Sequence, residues 1–177
     1  MKDKKTSTMV LTAMFAAVIT ISTAYLQIKT PDSGYIHFGD SVIYLAACIL
    51  PMPYAMCAAS IGGGLADILS GSAVWTIPTI IIKSLNVIPF ALVSERLRKK
   101  GTNTKIITKE TVLMSAISGL ITIIGYFIAE AIMFGIAASL LSTVLRSLVQ
   151  PIGSSVIFYG IGLSLDKANF KSLIAKN

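Results

Sequence analysis

The chain has 177 residues, 54% hydrophobic and 13% charged, with a formal net charge of +7 and a mean hydropathy of +0.79. Soluble domains carry roughly twice that charged fraction, so composition excludes an ordinary soluble domain and predicts one membrane-embedded unit over residues 1–177. The basic residues are not interleaved with aromatics and lie at the ends of apolar segments, which excludes nucleic acid as a partner and assigns them to topology.

Met1-Lys2-Asp3-Lys4-Lys5 precedes an apolar run from Met9 to Ile28. That run is longer than a signal-peptide core, so we read it as a retained first helix from about Thr8 to Ile28. It is uncharged and rich in small residues, and Ala13 and Ala17 form a small-xxx-small pair that lets another helix approach closely. Lys29 to Gly39, with Pro31, Asp32 and Gly34, reads as a loop. The next apolar stretch is broken by Pro51 and Pro53, which predicts two short helices over about 40–50 and 54–70. Cys48 and Cys57 lie in these runs without metal-ligand spacing and read as buried, inert thiols. Residues 71–78 form a second loop carrying the only tryptophan, Trp75. Helix 4 is expected from about Pro78 to Leu97, helix 5 from about Thr111 to Phe134, and helix 6 from about Ala138 to Leu165 with a bend at Pro151.

The fold class is therefore an all-α membrane protein with six transmembrane helices. In that threading, 12 of the 15 basic residues fall on one side: near the N-terminus, between helices 4 and 5, and after helix 6. That side is cytoplasmic by the positive-inside rule, which puts both termini inside.

Five ionisable residues lie inside the apolar segments: Asp40, Asp67, Lys83, Glu130 and Arg146. Such residues are rare and mark substrate sites, ion paths or mutual pairs. Helix rise puts all five toward the outer side, with nothing comparable in the inner half, which favours an outward-facing pocket over a full-depth channel. Helical spacing aligns Thr79, Lys83 and Asn86; Thr122, Tyr126 and Glu130; and Thr143, Arg146, Gln150 and Ser154. The scaffold alternative, interhelical bonds that only hold the bundle together, is open for individual residues and above all for Asp67. The outer loops offer Tyr35, His37 and Trp75 as lids, although aromatics at that depth also form interfacial belts. The candidate substrate-binding set is Tyr35, His37, Asp40, Trp75, Lys83, Asn86, Tyr126, Glu130, Arg146 and Gln150. A lone histidine makes no metal site, and no cofactor is expected.

Three blocks carry a resemblance. They are Gly34-Tyr35-Ile36-His37-Phe38-Gly39-Asp40 running on through Ala47, Ile61-Gly62-Gly63-Gly64-Leu65-Ala66-Asp67, and Trp75-Thr76-Ile77-Pro78-Thr79-Ile80-Ile81-Ile82-Lys83. With Gly125-Tyr126-Phe127-Ile128-Ala129-Glu130, they resemble the substrate-binding S components of energy-coupling factor (ECF) vitamin transporters. The match is to the riboflavin-type group that includes pyridoxine and hydroxymethylpyrimidine carriers. The resemblance implies a six-helix protein of a bacterial cell membrane that captures a vitamin outside. It also implies partners: a transmembrane T component, contacted by small residues of helix 1 such as Ala13 and Ala17, and two cytoplasmic ATPases. Many relatives have Asn-x-x-Gln in helix 6, whereas this chain has Ser147-Leu148-Val149-Gln150, preceded by Arg146.

The chain has no Gly-x-x-x-x-Gly-Lys-Ser/Thr loop for ATP, and neither a Gly-x-Ser-x-Gly nor a His-Glu-x-x-His motif, so it does not read as an enzyme. Two other functions compete: a small proton-coupled secondary transporter with Glu130 as the proton carrier, and a membrane scaffold without ligand. Both charge signs in the pocket suit a small polar heteroaromatic such as pyridoxine or hydroxymethylpyrimidine.

Overall fold

A computed structural model describes the backbone of residues 2–29, 35–102 and 104–176; side chains are described within these ranges except at 2, 3, 28, 29, 35, 36, 137–148 and 174–176. The elements are α1 (Lys2–Ala24), β1 (Gln27–Lys29), β2 (Tyr35–His37), α2 (Gly39–Ile49), α3 (Met52–Leu69), a 3-10 turn (Ala73–Trp75), α4 (Thr76–Lys99), α5 (Lys109–Phe134), α6 (Ile136–Lys167) and α7 (Phe170–Lys176). Among the described residues, Lys4–Ala24, Met52–Leu69, Ala73–Lys99 and Lys109–Phe134 are long and apolar enough to cross a membrane. Large apolar side chains such as Met14, Leu65, Ile81, Leu120 and Val156 point outward from their helices. Outward apolar faces on such helices suit hydrocarbon rather than water. The chain folds as a multi-pass helical membrane protein.

The short helix α2 is the centre of the bundle. Its residues from Gly39 to Cys48 are all buried, and it touches α1, α3, α4 and α6. At 11 residues it is about 16 Å long, too short to cross a bilayer by itself. Tyr44 on α2 stacks on Phe90 of α4 with ring centroids 4.6 Å apart, and both meet Phe158 of α6 edge-on. This aromatic trio fills the core beneath the first turn of α2.

Three consecutive glycines on α3 divide their work between two neighbours. A Cβ at Gly62 would lie 2.8 Å from the Ala16 carbonyl oxygen and 2.7 Å from Ile19, so its absence seats α1 against α3. Thr20 adds a hydrogen bond to the Gly62 carbonyl at 3.2 Å. A Cβ at Gly63 would meet Thr79 at 3.0 Å and Lys83 at 3.3 Å, and one at Gly64 would meet Ile80, so these two glycines seat α4. The face of α1 that packs inward carries Thr12, Ala16, Ile19, Thr20 and Thr23, whereas Ala13 and Ala17 are exposed on the other side.

At the far end, Asp166 of α6 accepts hydrogen bonds from the backbone N–H groups of Ile106 (2.6 Å) and Ile107 (2.9 Å). Lys171 of α7 donates to the Lys105 carbonyl at 2.8 Å, and Thr108 and Thr111 form a capping box at the start of α5. The α4–α5 connection is thereby clamped to the end of α6.

Four expectations need correction. The Lys29–Gly39 segment is not all loop: β1 and β2 pair antiparallel, Gln27 opposite His37 and Lys29 opposite Tyr35. The loop before helix 4 is shorter than expected, since Ala73–Trp75 is a 3-10 turn that runs straight into α4 at Thr76. A further helix, α7, follows α6. Finally, Cys48 is buried as expected, but Cys57 is exposed on the outer side of α3.

Candidate functional site

The ribbon end of the bundle gathers polar side chains from β2, α2, α4, α5 and α6. Asp40 lies in the first turn of α2, where a carboxylate is favoured by the unpaired N–H groups. Its Oδ1 accepts a 2.6 Å bond from Lys83 Nζ, and both side chains are buried. A buried pair of this kind is held by further hydrogen bonds or not at all. Here Gln150 Nε2 of α6 reaches the other oxygen, Asp40 Oδ2, at 3.3 Å.

Gln150 also fastens the ribbon. Its Oε1 accepts from the His37 backbone N–H at 3.0 Å, and its Nε2 reaches the His37 carbonyl at 3.3 Å and Ser154 Oγ at 2.9 Å. Ser41 of α2 donates to the Ser154 carbonyl at 2.8 Å, a second tie between α2 and α6. The His37 side chain is buried, and burial holds its pKa down to about 4, with Lys83 adding to the effect and Asp40 opposing it. His37 is thus neutral near pH 7. The Gly39 N–H donates to His37 Nδ1 at 3.2 Å, which makes Nδ1 the acceptor and puts the ring proton on Nε2.

On the other flank, Lys83 Nζ lies over the Tyr126 ring, 5.4 Å from its centroid. This cation–π contact spreads the ammonium charge between Asp40 and the aromatic face. Tyr126 OH pairs with Thr79 Oγ1 at 3.0 Å. Trp75, on the 3-10 turn, meets the Tyr126 ring edge-on at 6.0 Å and Phe134 at 5.8 Å. One turn deeper than Lys83, Asn86 Nδ2 donates to Thr122 Oγ1 at 2.8 Å, and the Asn86 carbonyl accepts from Ser118 at 3.0 Å. Asn86 Oδ1 is buried without a hydrogen-bond partner among the described residues.

Six of the ten candidate residues, His37, Asp40, Lys83, Gln150, Tyr126 and Trp75, form one connected network. Asn86 extends it inward along α4. Glu130 is half-buried on α5, one turn from Tyr126 on the same face. Tyr35 and Arg146 belong to β2 and α6 by backbone, and their side chains lie outside the described residues. Two members escaped the sequence reading. Phe134 continues the i+4 series Tyr126, Glu130, Phe134 and was legible by that spacing. Ser41 carries no signal beyond its position after Asp40. Five elements thus bring charges, amides and aromatics together at one end of the bundle.

The family described as ECF-type riboflavin transporter, S component, matches residues 3–169, nearly the whole chain. The chain belongs to that family. Its members are the substrate-binding components of transporters, so this S component serves uptake and is not an enzyme. It is also similar to a protein of Pyrococcus woesei described as an uncharacterized protein in the gap 3' region. The two are 28% identical over 150 residues, which cover 84% of this chain and 95% of the other. In this S component, His37, Asp40, Trp75, Lys83 and Tyr126 of the network lie in the blocks of sequence that carry the resemblance, and Gln150 lies outside them.

Proposed function

We propose that this S component captures a water-soluble vitamin or precursor at the outer face of a bacterial cell membrane, with pyridoxine or hydroxymethylpyrimidine as the best match, and passes it inward through an ATP-driven ECF transporter. The observation that carries the reading is the Asp40–Lys83 pair, buried among Gln150, His37 and Tyr126 at one end of the bundle. A purely structural pair gains little over apolar packing, whereas a ligand with polar edges and an aromatic body meets donors, acceptors and ring faces there. Tyr35, Trp75, Asn86, Glu130 and Arg146 complete the proposed contact set.

In this reading residues 1–177 form one domain with six helices in the membrane and both termini in the cytoplasm. The clamp at Asp166 and the basic residues around it then face the two ATPases and the cytosol. Ala13 and Ala17, exposed on α1 away from the α3 contact, offer a close approach to the T component.

The test is mass spectrometry of whatever co-purifies with the detergent-solubilised protein, followed by calorimetry with the compound found. Uptake that stops when the ATPases are lost but survives an uncoupler supports the ECF reading. The opposite pattern would replace it with proton-coupled transport through Glu130, and the absence of any ligand would leave a scaffold.

A further inference from the structure

Asp67 stands in the last turn of α3, where the unpaired carbonyls make the local field negative. A carboxylate there does nothing for helix stability, so its presence calls for another reason. Gly63, one turn earlier on the same α3 face, packs directly on the Thr79 and Lys83 side chains. Asp67 therefore continues the face of α3 that looks onto the network. Its neighbours are Thr79, whose hydroxyl is placed to hydrogen-bond the carboxyl, and Lys83, which acts on it by charge.

Neither neighbour satisfies it fully. Lys83 makes its short contact with Asp40, and Thr79 Oγ1 is paired with Tyr126 OH. Asp67 Oδ2 is buried with no hydrogen-bond partner among the described residues, and so is Thr76 Oγ1, on the first turn of α4. Deeper in the site, Asn86 Oδ1 is a second buried acceptor without a donor. Unmet buried acceptors are costly, and those of a carboxylate most of all. Two of these three atoms, Asp67 Oδ2 and Asn86 Oδ1, can only accept, and Lys83, the cation of the described network, is already committed to Asp40.

We propose that Asp67 is a specificity-determining residue whose carboxylate accepts a hydrogen bond from an N–H, O–H or ammonium group of the ligand, so that the site takes donor-bearing, neutral or cationic vitamers and turns away their phosphorylated, anionic forms. This rests on the ligand-capture reading above and adds the class of compound that is accepted. A phosphate brought to this flank would meet the Asp67 charge, while Lys83 is already paired with Asp40.

The experiment uses the full chain in detergent and matched pairs of probes: pyridoxine and its 5′-phosphate, hydroxymethylpyrimidine and its phosphate, and riboflavin and its 5′-phosphate. Calorimetry on the wild type is expected to show at least one unphosphorylated probe binding more than about a hundredfold tighter than its phosphate. In Asp67→Asn the tight probe should weaken about tenfold or more, and the preference over its phosphate should shrink by a similar factor. A residue with only a structural role would weaken both members of a pair alike and leave their ratio unchanged, which overturns the proposal. Should the variant fail to fold, the wild-type ratio decides: equal affinity for a probe and its phosphate overturns the role of Asp67 while the capture of a vitamin stands. A wild type that binds none of the six removes the vitamin reading and this inference with it.

Discussion

Lys83 Nζ and Asp40 Oδ1 are 2.6 Å apart with both side chains buried, which ties the middle of α4 to the first turn of α2. Because α2 is enclosed on all sides, this pair is part of the packing of the bundle as well as of its site. Removing one partner leaves the other charge buried and unpaired, a loss of about 3–5 kcal/mol. Lys83→Met and Asp40→Asn should therefore each lower thermal stability markedly in detergent. The double variant should recover most of that stability, since neither charge remains, yet should not recover ligand binding. A double variant as unstable as the singles would show that the pair's geometry, rather than its charge balance, holds α2 in place.

Trp75 offers a direct view of the other flank. It is the only tryptophan, and its ring leans on Tyr126 and Phe134 at 6.0 and 5.8 Å. Ligand entering beside Tyr126 must alter these contacts, so emission should change saturably with ligand. The signal should vanish in Trp75→Phe. Calorimetric binding without any change in wild-type emission would place the ligand away from the 3-10 turn.

His37 makes the protein sensitive to mild acid. Burial depresses its pKa to about 4, against 6.5 for an ordinary imidazole. The folded protein therefore resists a proton that the unfolded chain accepts, and stability is fully present above pH 6.5 and is lost as pH falls from there toward 4. With those two values the loss at pH 5 is about 2 kcal/mol. Melting curves of the wild type should fall between pH 7 and pH 5, and those of His37→Gln should fall less. Equal slopes in the two proteins would assign the acid response to other groups.

Local signals in the sequence revealed the helices but not their meetings. Pro51 and Pro53 marked the break between α2 and α3 because a proline lacks the N–H of a helix interior and is best tolerated before or in a first turn, where these two lie. The strands Gln27–Lys29 and Tyr35–His37 are three residues each, too short for an alternating pattern, and the ribbon is held by Gln150, which is 113 residues from His37. Depth counting brought Asp40 and Lys83 to the same level, yet nothing in the sequence chose Asp40 over Asp67 as the partner of Lys83. That choice depends on α2 being threaded through the bundle centre, a tertiary outcome. Cys57 was misread for a related reason: in a membrane helix an apolar run does not tell the core face from the lipid face.

The outer face of α1 separates binding from transport. Thr12, Ala16, Ile19, Thr20 and Thr23 bury the opposite face, and Gly62 of α3 fits closely against it, so Ala13 and Ala17 take no part in the internal contact. Small residues on an exposed membrane helix permit close approach by another helix, and indole rings in their place prevent it by overlap. Ala13→Trp and Ala17→Trp should leave the ligand affinity of the isolated protein within about threefold of wild type, less than 1 kcal/mol. Uptake by cells that supply the T component and ATPases should collapse in both. Normal uptake in both variants would remove this face as the docking surface. Loss of ligand affinity would mean that α1 transmits strain through Gly62 into α3 and on to the Gly63 contact with Lys83.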